Sequence, residues 1–224
     1  MANYPVDPSV LHPYLPAYTV LDYWKGTTYV SLVGFMFHRV RVKGVRVPAH
    51  TDFPEVNLRF YVRYQENNEW KRGVVFISEI VPKPAITWVA NALFSERYRT
   101  LPLRHEWSTD ESGLSVGYQW AYRDKRYLIE ARAEAVPQPL PADSKEEFIT
   151  EHFWGYSSMG ADRTAEYEVS HPRWNIHPVR DYNILCQFGE LYGRDFTVLD
   201  GKEPETVFLA EGSPIKVYAK KRIG

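Results

Sequence analysis

The stretch Glu55-Val-Asn-Leu-Arg-Phe-Tyr-Val-Arg-Tyr64 has the clearest hydrophobic pattern in the chain. Apolar and polar side chains alternate along it. One face carries Val56, Leu58, Phe60 and Val62, and the other carries Glu55, Asn57, Arg59, Tyr61 and Arg63. Successive side chains of a strand point to opposite faces, so this period of two predicts a β-strand with two chemically different faces.

The residues that follow this stretch predict an antiparallel partner. Gln65-Glu-Asn-Asn-Glu69 is typical of a turn, and Gly73–Val81 is strand-like. This second strand is apolar on both faces except at Ser78 and Glu79, which predicts a central, buried position in the sheet.

The rest of the chain repeats this strand-rich pattern with few helices. Further strands are predicted at Thr27–Phe37, Val40–Val42, Arg99–Trp107, Leu114–Tyr122, Arg126–Ala133, Thr164–Val169, Ile176–Val179, Thr206–Ala210 and Ile215–Ala219. Helices are predicted at Pro84–Ser95, which begins with proline, and from the capping box Ser144–Glu147 to about His152. We therefore expect an α+β fold with a large antiparallel sheet, curved or closed, and two or three short helices.

Domain organisation depends on the proline-rich segment Ala135–Asp143. It either separates two domains or carries the chain across a surface. We favour the second reading, a single domain over residues 1–224, because neither side resembles a complete fold.

Composition excludes several classes of protein. The net charge of −1 argues against a general nucleic-acid binder, which needs a basic surplus. The single cysteine, Cys186, excludes a disulfide-stapled scaffold and lies in an apolar setting typical of an inert thiol. No uncharged run reaches the ~20 residues that span a bilayer, and the N-terminus lacks a signal-peptide pattern. We expect a cytoplasmic protein without membrane or nucleic-acid partners.

The polar face of Glu55–Arg63 has two readings. It is either an ordinary solvent face or the polar wall of a cavity, in which Arg59 suits a carboxylate or carbonyl oxygen. Glu79 interrupts an apolar strand, so a buried carboxyl group with a raised pKa is one reading and a structural ion pair is the other. Lys83 follows it, either as a surface lysine or as a catalytic amine.

Other reactive residue types give weak signals. No zinc-ligand or phosphate-loop motif occurs, so we expect neither a metal nor another cofactor. The spacing of Glu151, His152 and His171 does not show whether they converge. The basic tail Lys220-Lys221-Arg222 is expected to be solvated and without function.

Several strings resemble the YqjF-like family of uncharacterised bacterial proteins, a domain of unknown function. They are Asn3-Tyr-Pro-Val-Asp-Pro, Tyr29-Val-Ser-Leu-Val-Gly-Phe, Glu55-Val-Asn-Leu-Arg-Phe-Tyr-Val, Arg72-Gly-Val-Val-Phe-Ile-Ser-Glu-Ile-Val-Pro-Lys, Glu151-His-Phe-Trp-Gly-Tyr, His171-Pro-Arg-Trp and Ala210-Glu-Gly-Ser. They extend over nearly the whole chain. Family members carry further residues before the first string, so we expect a truncated start or an internal methionine here.

The family is similar in fold to acetoacetate decarboxylase, which implies a cone-like antiparallel β-barrel around an internal cavity. That enzyme works through a Schiff-base lysine. Aligned on Pro102, its lysine pair falls on Leu103 and Arg104, so the nucleophile is missing; an alternative alignment uses Pro82-Lys83. Glu55 resembles the acidic residue that lines the decarboxylase cavity, which favours the cavity reading of this face.

Together these observations predict a protein that binds a small organic acid or carbonyl compound in a polar barrel cavity. The catalytic version of this prediction is a lyase or decarboxylase-like enzyme. The candidate catalytic residues are Glu55, Glu79 and Lys83, and the candidate ligand-binding residues are Asn57, Arg59, Tyr61, Asn91, His105 and Tyr118. The alternative is a non-catalytic, oligomeric binding or scaffold protein whose cavity is filled by aromatics such as Tyr118, Trp120 and Trp154, with the polar face of residues 55–63 in solvent. Related decarboxylases assemble into oligomers, so the resemblance also implies that a homo-oligomer can form.

Overall fold

The computed structural model describes residues 1–42, 45–46, 51–94, 96–111 and 113–224. The strands are β1 (Ala2–Val6), β2 (Val20–Leu21), β3 (Thr28–Phe37), β4 (Arg41–Val42), β5 (Val45–Arg46), β6 (Phe53–Glu66), β7 (Glu69–Val81), β8 (Tyr98–Thr100), β9 (Leu103–Asp110), β10 (Gly113–Tyr122), β11 (Lys125–Ala133), β12 (Trp154–Ser158), β13 (Thr164–Ser170), β14 (Ile176–Leu185), β15 (Thr206–Ala210), β16 (Lys216–Val217) and β17 (Lys221–Ile223). The helices are α1 (Pro8–Leu11), α2 (Pro84–Phe94), α3 (Lys145–Thr150) and α4 (Phe188–Tyr192), with 3₁₀ turns at His12–Tyr14 and Arg194–Leu199.

One large sheet contains most of these strands, in the order β16-β13-β12-β7-β6-β3-β1-β15-β14-β11-β10-β9. Its pairs are antiparallel except where β12 and β8 run parallel to β7. The predicted α+β fold with a curved antiparallel sheet is confirmed. A closed barrel is wrong for the described residues, because the path of paired strands ends at β16 and β9.

The sheet curls strongly, so strands far apart in its order come into contact. Strands β1, β15, β14 and β11 separate β3 from β10, yet the ring of Tyr118 on β10 packs against Gly34 on β3. A Cβ at Gly34 would lie 2.5 Å from Cδ2 of that ring. The absence of a side chain at Gly34 therefore allows β10 to pack against β3 as the open sheet curls around its core.

The central hairpin β6–β7 agrees with the sequence prediction. Asn67 and Asn68 both adopt positive φ in the turn between the strands, a conformation that asparagine tolerates well. The register shifts by one residue next to Leu58 and Arg59, which is a β-bulge. On the core face, Val56, Leu58, Phe60 and Val62 are completely buried in the main hydrophobic cluster.

The opposite face of the hairpin is also covered. Tyr61 and Val74 pack there against Phe148 and Ile149 of α3 in a second, smaller cluster. Ser144 caps α3 by accepting the backbone N–H of Glu147, as predicted, but the helix ends at Thr150, two residues early. The polar face of β6 is therefore buried by tertiary structure and does not lie in bulk solvent.

Other elements differ from the predictions in detail. Helix α2 ends at Phe94, and the predicted end at Ser95 lies outside the described residues. Helix α4 and the 3₁₀ turn that follows it were missed by the sequence pattern. The proline-rich segment Ala135–Asp143 crosses the surface and forms a single bridge from Gln138 to Ile176.

Candidate functional site

The candidate site is built on a row of polar side chains across three neighbouring strands. Asn57 of β6 lies opposite Glu79 of β7, which in turn lies beside Tyr98 of β8. Residues paired in this way project from the same face of a sheet. Glu55 lies two positions before Asn57 and so shares that face.

Hydrogen bonds join the members of this row. Asn57 Nδ2 donates to Glu55 Oε1 at 3.0 Å, and the Tyr98 hydroxyl donates to Glu55 Oε2 at 3.0 Å. Glu55, Asn57 and Glu79 are between 0% and 3% exposed. Glu55, Asn57, Glu79 and Tyr98 form a connected, buried polar group. We call these four residues and Glu96 the carboxyl cluster.

Burial dominates the electrostatics of the carboxyl cluster. It raises the pKa of Glu55 to about 7, although the hydrogen bonds from Asn57 and Tyr98 favour the ionised form. Burial, followed by the charges of Glu55 and Glu96, raises the pKa of Glu79 well above its ordinary value. Both carboxyl groups therefore hold their protons to a higher pH than exposed glutamates do.

Glu96 and Lys220 lie at the edge of the carboxyl cluster. Burial raises the pKa of Glu96, and the neighbouring Lys220 ammonium opposes this effect. Lys220 Nζ lies 3.3 Å from Glu96 Oε1 and donates to the Ser157 hydroxyl at 3.2 Å. The tail residue Lys220 was expected to be solvated; this expectation is wrong, because β17 pairs with β13 and draws the tail onto the sheet.

A small recess approaches Glu96 from outside. It has a volume of about 20 Å³ and is lined by Tyr14, Val75, Phe76, Glu96, Arg97, Tyr156, Ser157 and Ser158. A water molecule needs at least ~10–15 Å³ of such space. The recess can therefore admit a water molecule to the cluster through Glu96.

Several buried polar atoms on this face have no hydrogen-bond partner among the described residues. They include Asn57 Oδ1, Glu79 Oε2 and Arg59 Nε. Unsatisfied buried groups cost about 1–3 kcal/mol each, and native proteins contain few of them. Asn57 Oδ1 and Arg59 Nε lie on the polar face of β6, and Glu79 lies opposite Asn57 on β7, so a bound ligand could supply the missing partners.

Arg59 and Tyr61 extend the polar face along β6. The Arg59 guanidinium lies 5.8 Å from the Tyr61 ring centroid and contacts Met1 Sδ at 3.8 Å. The hydroxyl of Tyr61 is 2.5 Å from Ser31 Oγ, which donates to Asn3 Oδ1. The polar face thus places the Arg59 guanidinium two residues after Asn57, next to the carboxyl cluster.

Three predicted ligand-binding residues lie elsewhere. Asn91 has a structural role, because its side chain accepts the N–H of Tyr98 and donates to the Tyr98 carbonyl. Tyr118 lies in the main hydrophobic cluster, on the opposite face of β6 from Glu55. His105 is exposed on β9 and stacks on Tyr118.

Lys83 lies at the end of the β7 strand, beside Asp52 and Phe53. Its Nζ donates to the Asp52 carbonyl at 3.0 Å and lies 5.9 Å from the Phe53 ring centroid. Phe53 is two residues from Glu55 on the same strand face. Lys83 therefore stands at one end of the polar face, next to Asp52 and Phe53.

Sequence reasoning missed Glu96, Tyr98 and Lys220. Tyr98 directly precedes the predicted extended segment, but its pairing with Glu79 depends on a parallel contact after helix α2. Glu96 follows that helix, and Lys220 returns from the end of the chain. The only available signal was the unexplained Glu79, which implied that partners had to exist without identifying them.

The acidic and histidine residues of the 151–171 region do not converge. His152 joins Asp22, whose carboxylate also accepts Arg72. His171 instead stacks on Trp174 at the surface. Within the described ranges, no group of three His, Cys, Asp or Glu residues is arranged to hold a metal ion.

Cys186 is half-buried, and burial raises its thiol pKa.

Comparison with known proteins assigns this chain to a family. The family model DUF2071, described as an uncharacterized conserved protein, matches residues 1–214. The chain belongs to this family. The uncharacterized protein YqjF of Bacillus subtilis (strain 168) is 27% identical over 225 residues, which cover 99% of this chain and 84% of YqjF. No helix among the described residues is long and apolar enough to cross a membrane.

Solved structures show the same fold at low identity. The enduracididine biosynthesis enzyme MppR, complexed with pyruvate, matches with a TM-score of 0.63 and 12% identity, covering 99% of this chain and 83% of MppR. Acetoacetate decarboxylase from Legionella pneumophila matches with a TM-score of 0.57 and 12% identity. The match covers 98% of this chain and 83% of the decarboxylase. The acetoacetate-decarboxylase-like fold that the sequence resemblance implied is confirmed.

Proposed function

We propose that this protein binds a small organic acid containing a carbonyl group on the polar face of β6, and that it catalyses proton transfer as part of a lyase-type reaction. The observation that carries the proposal is the pair Glu55 and Glu79, buried side by side with Tyr98 and with Glu79 Oε2 unpartnered. The MppR structure with pyruvate supports the class of ligand.

Each side chain has a distinct role in this proposal. Arg59 binds the carboxylate of the ligand. Asn57 orients its carbonyl group by donating the second N–H of Nδ2, whose first N–H goes to Glu55 Oε1. Glu55, whose pKa is about 7, accepts a proton from carbon. Glu79, whose pKa burial raises well above its ordinary value, donates to the carbonyl oxygen as negative charge develops there.

The proposal is tested by proton exchange, which requires no knowledge of the complete reaction. Pyruvate is incubated with the protein in D₂O, and loss of its methyl protons is followed by ¹H NMR. We expect catalysed exchange that falls by about 100-fold in Glu79→Gln, the lower range for a lost acid or base. Glu69→Gln is the matched control, because Glu69 is exposed on the same strand.

Ligand binding is measured separately by saturation-transfer NMR. Arg59→Gln should lose the pyruvate signal, whereas Arg126→Gln, at an exposed position on β11, should retain it. A wild-type protein that neither binds nor exchanges pyruvate, acetoacetate or 2-oxobutyrate would contradict the proposal.

A covalent version of the proposal uses Lys83, which stands at the end of the same face. Its amine would condense with the ligand carbonyl and release water, forming an imine that borohydride reduces to a stable amine. The test is mass spectrometry after borohydride treatment with pyruvate. An adduct that is lost in Lys83→Ala and kept in Lys202→Ala, an exposed control, supports this version; no adduct at saturating pyruvate rejects it.

The non-catalytic alternative is favoured by one observation. Neither the recess beside Glu96 nor the larger cleft beside α3 is lined by Glu55, Asn57 or Glu79, and Tyr118 and Trp120 fill the core on the other face. A binding or scaffold protein predicts no exchange activity and a stable oligomer. Light scattering combined with the exchange assay distinguishes the two functions.

A further inference from the structure

A second candidate site lies away from the carboxyl cluster. It is an open cleft of about 410 Å³, within the size range of small-molecule sites. Its lining residues come from the loop after β2, from β7 and from the region of α3: Asp22, Tyr23, Trp24, Arg72, Asp143, Glu147, Phe148 and Glu151.

The floor of the cleft is a buried charged group. The side chain of Asp22 is 7% exposed and accepts Arg72 Nε at 2.7 Å and His152 Nε2 at 3.1 Å. Burial opposes ionisation of Asp22, but the hydrogen bonds from His152 and Arg72 keep its pKa below the usual value. Burial lowers the pKa of His152 to about 4, so at neutral pH Arg72 alone balances the Asp22 charge.

The remaining carboxylates leave the cleft negatively charged. Glu147 is balanced by Arg173, to which it is hydrogen-bonded. Glu151 and Asp143 have no cationic partner among the described residues, and Glu151 Oε1 is buried with no hydrogen-bond partner. A buried carboxylate oxygen without a donor is costly unless a cation or N–H group approaches it.

The walls of the cleft are aromatic. The rings of Trp24 and Phe148 lie 5.8 Å apart, and Tyr23 is exposed beside them. Two cations of the chain already use these rings: the Arg72 guanidinium lies 4.8 Å from the Phe148 ring centroid, and Lys25 Nζ lies 4.8 Å from the Trp24 ring centroid. Aromatic faces attract cations, and an uncharged apolar stem gains from the same surfaces.

We propose that this cleft binds a small organic ammonium compound with an apolar stem. The ammonium group would meet the Glu151 carboxylate, and the stem would lie against Trp24 and Phe148. Because the charge excess is negative, the cleft discriminates against the organic acids assigned to the polar face of β6. The two sites would therefore take ligands of opposite charge.

The test uses phenethylamine as the probe and isothermal titration calorimetry as the readout. Its matched controls are 2-phenylethanol, which lacks the charge, and 3-phenylpropionate, which reverses it. We expect binding of the amine alone, weakened about tenfold in Glu151→Gln. Binding should be unchanged in Glu146→Gln, within helix α3, which ends directly before Glu151.

A second variant protects the test against misfolding. Asp143 is exposed and has a φ of 54°, which asparagine also tolerates, so Asp143→Asn should fold normally. It should weaken the binding of phenethylamine by a smaller factor than Glu151→Gln does. Equal binding of amine and alcohol would overturn the proposal, as would amine affinity that is unchanged in both Glu151→Gln and Asp143→Asn. Failure of pyruvate exchange leaves these outcomes unaffected, because the sites share no lining residue.

Discussion

The two faces of strand β6 are buried to a similar extent but have opposite chemistry. Leu58 and Phe60 pack in a continuous apolar core with no exposed surface. On the other face, Glu55 and Asn57 are equally buried, yet their neighbours include a second carboxyl group and several unpartnered polar atoms. The first arrangement stabilises the fold, whereas the second costs stability; under the proposed function it positions groups that transfer protons.

The largest expected effect comes from breaking the core face. Phe60→Ala removes a fully buried ring and should lower the free energy of unfolding by about 3–5 kcal/mol. Urea denaturation measures this loss. Since Phe60 points away from the carboxyl cluster, the molecules that remain folded should exchange pyruvate protons at the wild-type rate; a large loss of that rate would contradict the separation of the two faces.

A smaller effect is expected where the curled sheet meets itself. Gly34→Ala places a methyl group against the buried ring of Tyr118 and should cost about 1–3 kcal/mol, the usual range for overpacking. Gly117→Ala is the control, because its added Cβ would meet only the flexible Glu130 side chain at 3.1 Å. Equal thermal stability of the two variants would show that the contact is looser than described.

The polar face makes stability depend on pH. Below the ordinary carboxyl pKa of 4.5, Glu79 is protonated in both the folded and unfolded states. Above it, the unfolded chain loses the proton while the folded protein keeps it, so stability falls by up to about 1.4 kcal/mol per pH unit until the pH reaches the raised folded pKa.

Glu79→Gln should therefore flatten this pH dependence and stabilise the protein at pH 8. Urea denaturation between pH 5 and pH 8 is the measurement, and Glu69→Gln is the control with the wild-type slope. A variant that is less stable than wild type at pH 8 would mean that Glu79 is ionised and well paired.

The smallest effect concerns Lys220. Lys220→Met removes the cation beside Glu96, a partly buried pair in which the side chains are 17% and 10% exposed. We expect a loss of about 1 kcal/mol at pH 8 and a further rise in the pKa of Glu96, since the lysine opposes the effect of burial. Lys202→Met should leave the stability at pH 8 and the pKa of Glu96 unchanged. Equal stability of the two variants would show that Lys220 contributes no more than a solvated tail residue.

The contrast between the faces also explains how far the sequence could predict the structure. The alternation in Glu55–Tyr64, the hairpin turn and the capped start of α3 were all predicted, because each depends on residues close in sequence. The burial of the polar face was left open, since its cover comes from Phe148 and Ile149, far along the chain. Lys220 was misjudged for the same reason: its environment depends on a strand pairing that no local pattern reveals.

The resemblance to a family predicted the fold but not the site. The alternation of the strand put Glu55 on the polar face, and the resemblance favoured a cavity role for it. Glu79 was identified through its unusual place in an apolar strand. Tyr118 and Asn91 were expected to bind ligand, but one fills the core and the other holds Tyr98 in place. A side chain's direction is set by register and curl, which sequence strings do not contain.

The central claim is that carboxyl groups on the polar face of β6 hold protons at neutral pH. It is tested most directly by a ¹³C NMR titration of protein labelled at glutamate Cδ, with Glu55→Gln and Glu79→Gln used for assignment. We predict that Glu55 titrates at about pH 7 and that Glu79 titrates well above the ordinary glutamate range. Titration of both groups near pH 4.5, as for exposed glutamates, would contradict the claim and with it the proposed proton transfer.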